Sequence, residues 1–291
     1  MSLDKLTHLK LLKVTGSDTK SFLQGQLTND INALSETWHF SAYCNPKGRA
    51  LANFITWASG DNIFLLCEES LKETVLKRLR MYVMRSDVVF DEIEASILGA
   101  FDPEDLQLLN TQTTCKFENY SYRQEDGIHM LGFGGRAILV LPDGNNVLDN
   151  KINHDLKWLK QDISDGLPRV TVESHEMFIP QMLNLDILDG VNFKKGCYTG
   201  QEIIARMRYL GKLKQRSFVC ELSSNFTASI GAKIVDENGK NVGNIVNAIE
   251  GHNHVVASLR FDNLDNGLIL ESGETLTVKG NQPYSIDTSN A

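Results

Sequence analysis

The segment 193–202 holds the residues of this chain with the clearest potential for chemistry. It reads FKKGCYTGQE and places a single thiol, Cys197, directly after Lys194, Lys195 and a glycine. Nearby cations and a following helix N-terminus both favour the thiolate form of a cysteine. The segment therefore predicts a reactive thiol, and the alternative is a tight turn that buries an inert cysteine.

The same segment predicts the start of a helix. Thr199 and Glu202 have the spacing of a capping box, in which each side chain bonds the backbone of the other residue. The expected helix has an apolar face and cations in its later turns, where they suit the helix dipole. Its apolar residues are Ile203, Ile204, Met207 and Leu210, and its cations are Arg206 and Arg208.

Composition narrows the class of function. The 291 residues carry 29 Lys and Arg against 37 Asp and Glu, a net charge of -8. Tight binding to a nucleic-acid backbone relies on clustered cations, so we expect any role near nucleic acid to be indirect or confined to a local basic patch. The N-terminal residues and the rest of the chain predict neither a signal peptide nor a membrane span.

The five cysteines indicate a reducing compartment. They are odd in number, far apart and without a Cys-x-x-Cys pair: Cys44, Cys67, Cys115, Cys197 and Cys220. Disulfide frameworks and local zinc sites need other spacings. We therefore expect a soluble cytoplasmic protein without a metal site.

The first part of the chain reads as mixed α/β. Strands are predicted at 9–15, 37–43, 50–57 and 62–67. A helix capped by Asp18 follows the first of these strands. Strand–helix alternation is expected to continue to about residue 165. A helix at 69–84 is expected to bury Leu71, Val75, Leu79 and Tyr82 along one face. After about residue 213, five short strand-like runs separated by turns predict a small antiparallel barrel at 216–221, 232–236, 242–249, 254–260 and 273–279.

Two local patterns do not support the function that they suggest. The glycines at 132–135 have dinucleotide-loop spacing, but they precede a strand-like run, whereas such a loop must follow a strand and open a helix. His252 and His254 could form a metal pair, but they lack acidic or thiol neighbours at ligand spacing. We interpret them as a surface pair that flanks a turn.

The segment 195–202, with Ala205-Arg206 and Gly211 after it, resembles the signature of the YgfZ family. The segments 178–185, 190–193, 22–30 and 44–49 also resemble family stretches. The resemblance spans nearly the whole chain and is weakest across 90–145 and in the barrel.

This resemblance implies an α+β, aminomethyltransferase-like fold around a central cavity. Two interlocked α/β subdomains would occupy 1–212 and a C-terminal antiparallel β-barrel 213–291. Family members bind folates and support iron–sulfur enzymes, including radical enzymes that thiolate tRNA. The implied cofactor is tetrahydrofolate or a derivative, and the implied partners are iron–sulfur tRNA-modifying enzymes, with only an indirect link to tRNA and none to membranes or DNA.

The resemblance also implies two sets of site residues. Cys197 would be the functional thiol, surrounded by Lys195, Tyr198, Gln201, Glu202 and Arg206. Folate would be contacted by Trp158, Gln24, Asn45, Lys47, Gln181 and Asn184. Trp158 is predicted to point away from the apolar stripe of a helix that runs from Leu148 to Ile163; the alternative is that it packs against a neighbouring subdomain.

Two departures separate the chain from the related transferases. The stretch 49–53 lacks the Asp that interacts with the reactive region of folate, and an Asn cannot supply its charge. No Tyr-Thr-Gly-Glu-like loop is present at 120–145. A third departure is from the YgfZ family itself, whose other folate-contacting Trp, just before the first strand, is replaced near Leu9. A folate-binding accessory factor is therefore expected; the alternatives are a tetrahydrofolate-dependent one-carbon transferase and an interaction module with a vestigial cavity.

Overall fold

A computed structural model describes residues 3–102, 104–105, 117–142, 152–153, 156–223, 228–265 and 267–288. Cys115 and Leu148, which the sequence analysis considered, lie outside these residues. Across the described parts of the chain, none of the helices is long and apolar enough to cross a membrane.

The described residues form strands and short helices in the following order. The strands are β1 Leu3–Lys5, β2 Leu9–Thr15, β3 Trp38–Cys44, β4 Ala50–Ser59, β5 Asn62–Glu68, β6 Val89–Ile93, β7 Ala95–Ala100, β8 Tyr122–Glu125, β9 Ile128–Gly132, β10 Ala137–Pro142, β11 Ile152–Asn153, β12 Gln215–Leu222, β13 Lys233–Val235, β14 Asn241–Asn247, β15 His254–Arg260, β16 Leu268–Leu270 and β17 Thr275–Val278. The helices are α1 Thr19–Gln26, α2 Lys72–Val83, α3 Lys157–Ser164 and α4 Gln201–Tyr209.

Two open sheets precede the barrel. The first has the order β3-β4-β5-β2-β6, and the second has the order β11-β1-β7-β10-β9-β8. The second sheet is mixed, since β1 pairs in parallel with β11 and antiparallel with β7. The predicted strands at 9–15, 37–43, 50–57 and 62–67 are confirmed as β2 to β5, and the glycines at 132–135 lie in the turn from β9 to β10, not before a helix.

The helical predictions in this region need three corrections. Asp18 precedes α1 but makes no side-chain cap, because its carboxylate accepts the backbone N–H of Asp87 at 2.8 Å. The second helix begins at Lys72, and Tyr82 is exposed while Leu71, Val75 and Leu79 are buried. The prediction that strand–helix alternation continues to about residue 165 is wrong, since the described residues between α2 and α3 contain strands and no α-helix.

The C-terminal barrel is closed. Its strands have the order β12-β15-β14-β13-β16-β17, and β12 also pairs with β17. All five predicted strands are confirmed, and the sequence analysis missed the short sixth strand, β16. Alternate residues of these strands fill the interior, including Ile234, Ile245, Ala257 and Leu270.

The chain separates into two compact units. The first consists of 1–41 and 53–158, and the second of 42–52 and 159–291. The second unit thus contains the turn between β3 and β4, helix α4 and the barrel. The division of the chain at residue 212 stays a prediction.

Candidate functional site

The loop before α4 is shaped by an asparagine that the sequence analysis did not single out. The side-chain oxygen of Asn192 accepts the backbone N–H groups of Lys194 at 2.8 Å and Lys195 at 3.0 Å. An asparagine that bonds the backbone just ahead of it forms a tight local turn. Three positions after Lys194, Cys197 is an exposed, unpaired thiol, so the alternative in which the turn buries this cysteine is wrong.

The start of α4 differs from the predicted capping box. Gly200 is the N-cap residue, with a left-handed φ of 84°, and no side chain caps the helix. A capping box needs Ser or Thr at the N-cap and Glu three positions later, whereas here Thr199 lies outside the helix and Glu202 lies in its first turn. The helix itself was predicted correctly, with Arg206 and Arg208 in its last turn.

The apolar face of α4 is narrower than predicted. Ile204 is buried and Leu210 is 85% exposed. Among the predicted site residues on this helix, Gln201 is half-buried, while Glu202 and Arg206 are exposed. Because Glu202 and Arg206 are four positions apart, they share one helix face. The segment therefore presents a polar surface next to the thiol.

Tyr198 and Lys195 form the inner side of this loop. Tyr198 is buried, and the ammonium group of Lys195 lies 5.1 Å from the centre of its ring, within cation–π range. Burial, with a smaller effect from Cys44, raises the pKa of Tyr198 above its ordinary value. Burial also raises the pKa of Cys44. Both groups are therefore protonated at neutral pH.

The turn between β3 and β4 packs against the start of α4. A Cβ on Gly200 would lie 2.5 Å from the carbonyl oxygen of Asn45 and 3.0 Å from the Cα of Gly48. A Cβ on Gly48 would lie 3.0 Å from the Cβ of Ile203. These two glycines are therefore needed for the close approach of the segment 44–49 to the Cys197 segment.

Asn45 organises that turn with every polar atom of its side chain. Its side-chain oxygen accepts the backbone N–H groups of Lys47 at 2.9 Å and Arg49 at 3.0 Å. Its amide donates to the carboxylate of Glu176 at 3.0 Å. Glu176 has a positive φ of 61°, and its N–H donates to the carbonyl of Ala50 at 3.0 Å. The sequence analysis missed Glu176, since nothing in its own local pattern pointed to the turn 130 positions earlier.

Gln181 and Asn184 connect the site to the rest of the second unit. The amide of Gln181 donates to the carbonyl of Ile204 at 2.6 Å, and the amide of Asn184 donates to the carbonyl of Ser217 on β12 at 2.7 Å. Arg216 also contacts this region, with bonds to Asn184 and to the carboxylate of Asp186. Gln181 and Asn184 therefore have structural roles, although the buried side-chain oxygen of Gln181 lacks a hydrogen-bond partner among the described residues.

The two other predicted folate contacts belong to the first unit. The amide of Gln24 donates to Asp30 at 2.9 Å, and its oxygen accepts the N–H of Ile31 at 2.8 Å. Both ends of the Gln24 side chain are thus engaged in the turn after α1. The structure brings Asn45 and Lys47 beside the Cys197 segment within the second unit, whereas Gln24 and Trp158 lie in the first unit.

Trp158 does not point away from the core, so that prediction is wrong. It is 2% exposed, its backbone N–H donates to buried Asp4 at 2.7 Å, and its ring meets the edge of Phe133. The guanidinium of Arg136 lies 4.1 Å from the ring centre. The geometry differs because residues 152–153 form a strand and α3 begins at Lys157, so the predicted helical stripe does not exist.

The donors and acceptors of this region fit a folate only in part. A pterin needs hydrogen-bonding groups and a stacking surface, and a glutamate tail needs cations. The side chain of Gln24 is engaged in the turn after α1, and that of Asn45 is engaged by its own turn and by Glu176. The unsatisfied oxygen of buried Gln181 and the exposed ammonium of Lys47 are groups that could bind such a ligand.

Comparison with known proteins agrees with this architecture. An uncharacterized protein of Haemophilus influenzae is 30% identical over 97% of each chain. The tRNA-modifying protein YgfZ of Escherichia coli is 28% identical over 86% of this chain and 82% of its own length, and that of Yersinia enterocolitica is 29% identical over 86% of this chain and 80% of its own. No protein-family model matches the chain.

A solved structure identifies the fold. The aminomethyltransferase T of the glycine cleavage system from Bartonella henselae superimposes with a TM-score of 0.74 at 13% identity, covering 96% of this chain and 84% of that one. The aminomethyltransferase-like fold expected from the sequence is therefore confirmed, including its C-terminal barrel. Given this fold and the similarity along most of its length, the chain belongs to the family of the YgfZ tRNA-modifying proteins.

Proposed function

We propose that this protein is a folate-binding accessory factor that supports iron–sulfur enzymes in tRNA modification, and that Cys197 is its functional thiol. The observation that carries the proposal is an exposed Cys197 on a loop fixed from two sides. Asn192 holds the residues before it, and the Gly200–Asn45 contact holds the residues after it. A thiol held in place on the surface suits an encounter with a partner or an oxidised substrate.

The remaining described cysteines are unsuited to this role. Cys44, Cys67 and Cys220 are buried, and burial raises the pKa of each thiol, that of Cys67 to about 12. Buried, protonated thiols are inert. All four described cysteines are unpaired, which supports a location in the reducing cytoplasm.

The folate part of the proposal rests on the fold and on a small set of side chains. Lys47 would attract the carboxylates of a glutamate tail, and Gln181 would accept a hydrogen bond from the ring system. Trp158 stays a predicted contact whose ring is already covered by Arg136 on one face. When bound, a reduced folate supplies a one-carbon carrier. The chain itself would orient the folate and would surround Cys197 with polar residues.

The thiol is tested by replacing it without disturbing the loop. Because Cys197 is exposed, Cys197→Ala and Cys197→Ser are expected to change the free energy of unfolding by less than about 0.5 kcal/mol. Both variants should fail to complement a strain that lacks the gene. Lys212→Ala, which removes an exposed lysine beyond the end of α4, is the control and should complement. Full complementation by Cys197→Ala at normal protein levels would overturn the role of the thiol.

The ligand is tested by calorimetric titration with tetrahydrofolate and its 5-formyl derivative. Lys47→Ala and Gln181→Leu should weaken binding, and Lys233→Ala, on the barrel, should not. Trp158→Phe is preferable to Trp158→Ala because it keeps most of the buried volume. If the wild-type protein binds neither compound while Cys197 remains essential, the folate part is wrong and the interaction-module alternative stands.

The transferase fold favours a second candidate function, tetrahydrofolate-dependent one-carbon transfer. Its weakness is the stretch 49–53, where Asn53 ends a run without the carboxylate that the related enzymes use. Formation of methylenetetrahydrofolate from a methylamine-bearing substrate would establish this activity. Loss of that product in a variant of Asn53 would then assign the activity to this stretch.

A further inference from the structure

Three nitrogen-bearing side chains meet at one end of the barrel, outside the Cys197 region. The rings of His252 and His254 are edge to face, with centres 5.3 Å apart. The ammonium of Lys279, just after β17, lies 3.3 Å from Nε2 of His254. These groups therefore converge from two different segments of the second unit.

The hydrogen bonding of the cluster leaves it short of acceptors. An ammonium can only donate, so Nε2 of His254 must accept from Lys279 and carry no proton there. Nε2 of His252 is buried and lacks a hydrogen-bond partner within the described part of the chain. A buried polar atom without a partner costs free energy. If Nε2 of His252 carries a proton, a bound ligand that offers an acceptor would remove this cost.

Electrostatics point in the same direction. Burial lowers the pKa of His252, and the neighbouring His254, Lys160 and Lys279 lower it further. The nearest carboxylate by strand register is Glu221, which lies opposite His254 in the β12–β15 pairing. It accepts from the amide of Asn253 at 3.0 Å, and it makes no ion pair with either lysine within the described residues.

We propose that His252, His254 and Lys279 form a binding site for a compact phosphate group, either free phosphate or a phosphate monoester. A tetrahedral phosphate offers three or more acceptor oxygens, which matches donors that arrive from several directions. A carboxylate offers only two oxygens and half the charge. The net charge of -8 disfavours a long polyanion and leaves a small anion as the ligand.

The site is tested by following the histidine ring signals of the full chain by NMR. The pH titration is recorded in sodium chloride and again in inorganic phosphate at equal ionic strength. Phosphate should raise the pKa of His252, because a bound anion stabilises its protonated form, and it should shift the ring signals of His254. His175, which contacts the carbonyl of Leu51 in the same unit, is the internal reference and should not respond.

Two lysine variants separate a built site from general attraction. Lys279→Gln should weaken phosphate binding about tenfold, the loss of one charge-assisted hydrogen bond. Lys233→Gln, an exposed barrel lysine paired with Glu271, should leave it unchanged. Repeating the titration with glycerol 3-phosphate shows whether a monoester binds more tightly than free phosphate. The proposal is wrong if neither anion moves the two histidines, or if both variants weaken binding equally.

Discussion

Gly200 and Asn45 approach so closely that no side chain fits between them. A Cβ on Gly200 would lie 2.5 Å from the carbonyl oxygen of Asn45, and the φ of Gly200 is 84°. The contact joins the turn after β3 to the N-cap residue of α4. The position of the Cys197 loop thus depends on a glycine that the sequence marks only as part of a motif.

Gly200→Ala is expected to destabilise the protein by about 2–4 kcal/mol. The added Cβ clashes with backbone, and the left-handed conformation costs a non-glycine residue about 1–2 kcal/mol by itself. Chemical denaturation measures the change. Gly196→Ala is the matched control, because Gly196 has open space around it and no positive φ. Equal losses for the two variants would contradict the packing described here.

Asn45→Asp tests the amide that joins the turn to Glu176. The new carboxylate keeps the acceptor for Lys47 and Arg49 but faces Glu176 at 3.0 Å, where Asn45 donated a hydrogen bond. We expect a loss of about 2–3 kcal/mol at pH 7 from like-charge repulsion. The repulsion raises the folded-state pKa of this carboxyl pair, so the deficit relative to wild type should shrink as the pH falls through that raised pKa.

A rescue variant makes this test specific. In Asn45→Asp with Glu176→Gln, the donor and the acceptor exchange sides, and most of the stability should return. If the double variant is no more stable than Asn45→Asp alone, Glu176 is not the cause of the loss.

Much of the fold was predictable because its signals are local. Alternating apolar residues identified β2 and the barrel strands, and the motif after Cys197 correctly predicted α4. The sequence analysis missed β16 because three residues carry too little periodicity. The stretch 148–163 has apolar residues at helical spacing, which predicts a single helix with Trp158 off its apolar stripe. In the structure, residues 152–153 form a strand and the helix begins only at Lys157.

The site was predictable only where one segment holds it. Cys197, Tyr198 and the cations of α4 are adjacent in sequence. Glu176 and Asn192 act through contacts that depend on the tertiary fold or on a turn without a family motif. The capping box failed for a similar reason, since the contact with Asn45 requires glycine, rather than Thr199, at the helix start.

A buried histidine in the first unit should make stability depend on pH. Nδ1 of His129 accepts from the Tyr122 hydroxyl at 2.9 Å and lies 3.3 Å from the indole nitrogen of Trp57. Burial lowers the pKa of His129 to about 4, against 6.5 for an ordinary histidine. The unfolded chain therefore binds the extra proton between pH 6.5 and about 4, and stability falls as the pH falls through this window.

The lowered pKa of His129 corresponds to about 3 kcal/mol of stability that is present at neutral pH and is lost by about pH 4. His129→Phe should show a shallower decline of the free energy of unfolding across this range, measured by urea denaturation at several pH values. Tyr122 keeps an acceptor in that variant, since Gln124 lies 3.3 Å from its hydroxyl. Parallel pH profiles for the variant and the wild type would show that His129 is not the titrating group.

The ion pair of Arg216 and Asp186 should contribute far more to stability than an exposed pair on the same barrel. Arg216 makes two bonds to the Asp186 carboxylate, at 2.8 and 2.9 Å, and the side chains are only 12% and 5% exposed. Asp186→Asn leaves the buried guanidinium without its counter-charge, so we expect a loss of about 3 kcal/mol. The pair of Lys233 and Glu271 is more than half exposed at both ends, and Glu271→Gln should cost less than about 0.5 kcal/mol. Similar losses of stability for Asp186→Asn and Glu271→Gln would contradict the greater contribution of the buried pair.

Arg216 also donates to the carbonyl of Gln181 at 3.0 Å. Asp186→Asn should therefore also weaken any ligand binding that depends on Gln181.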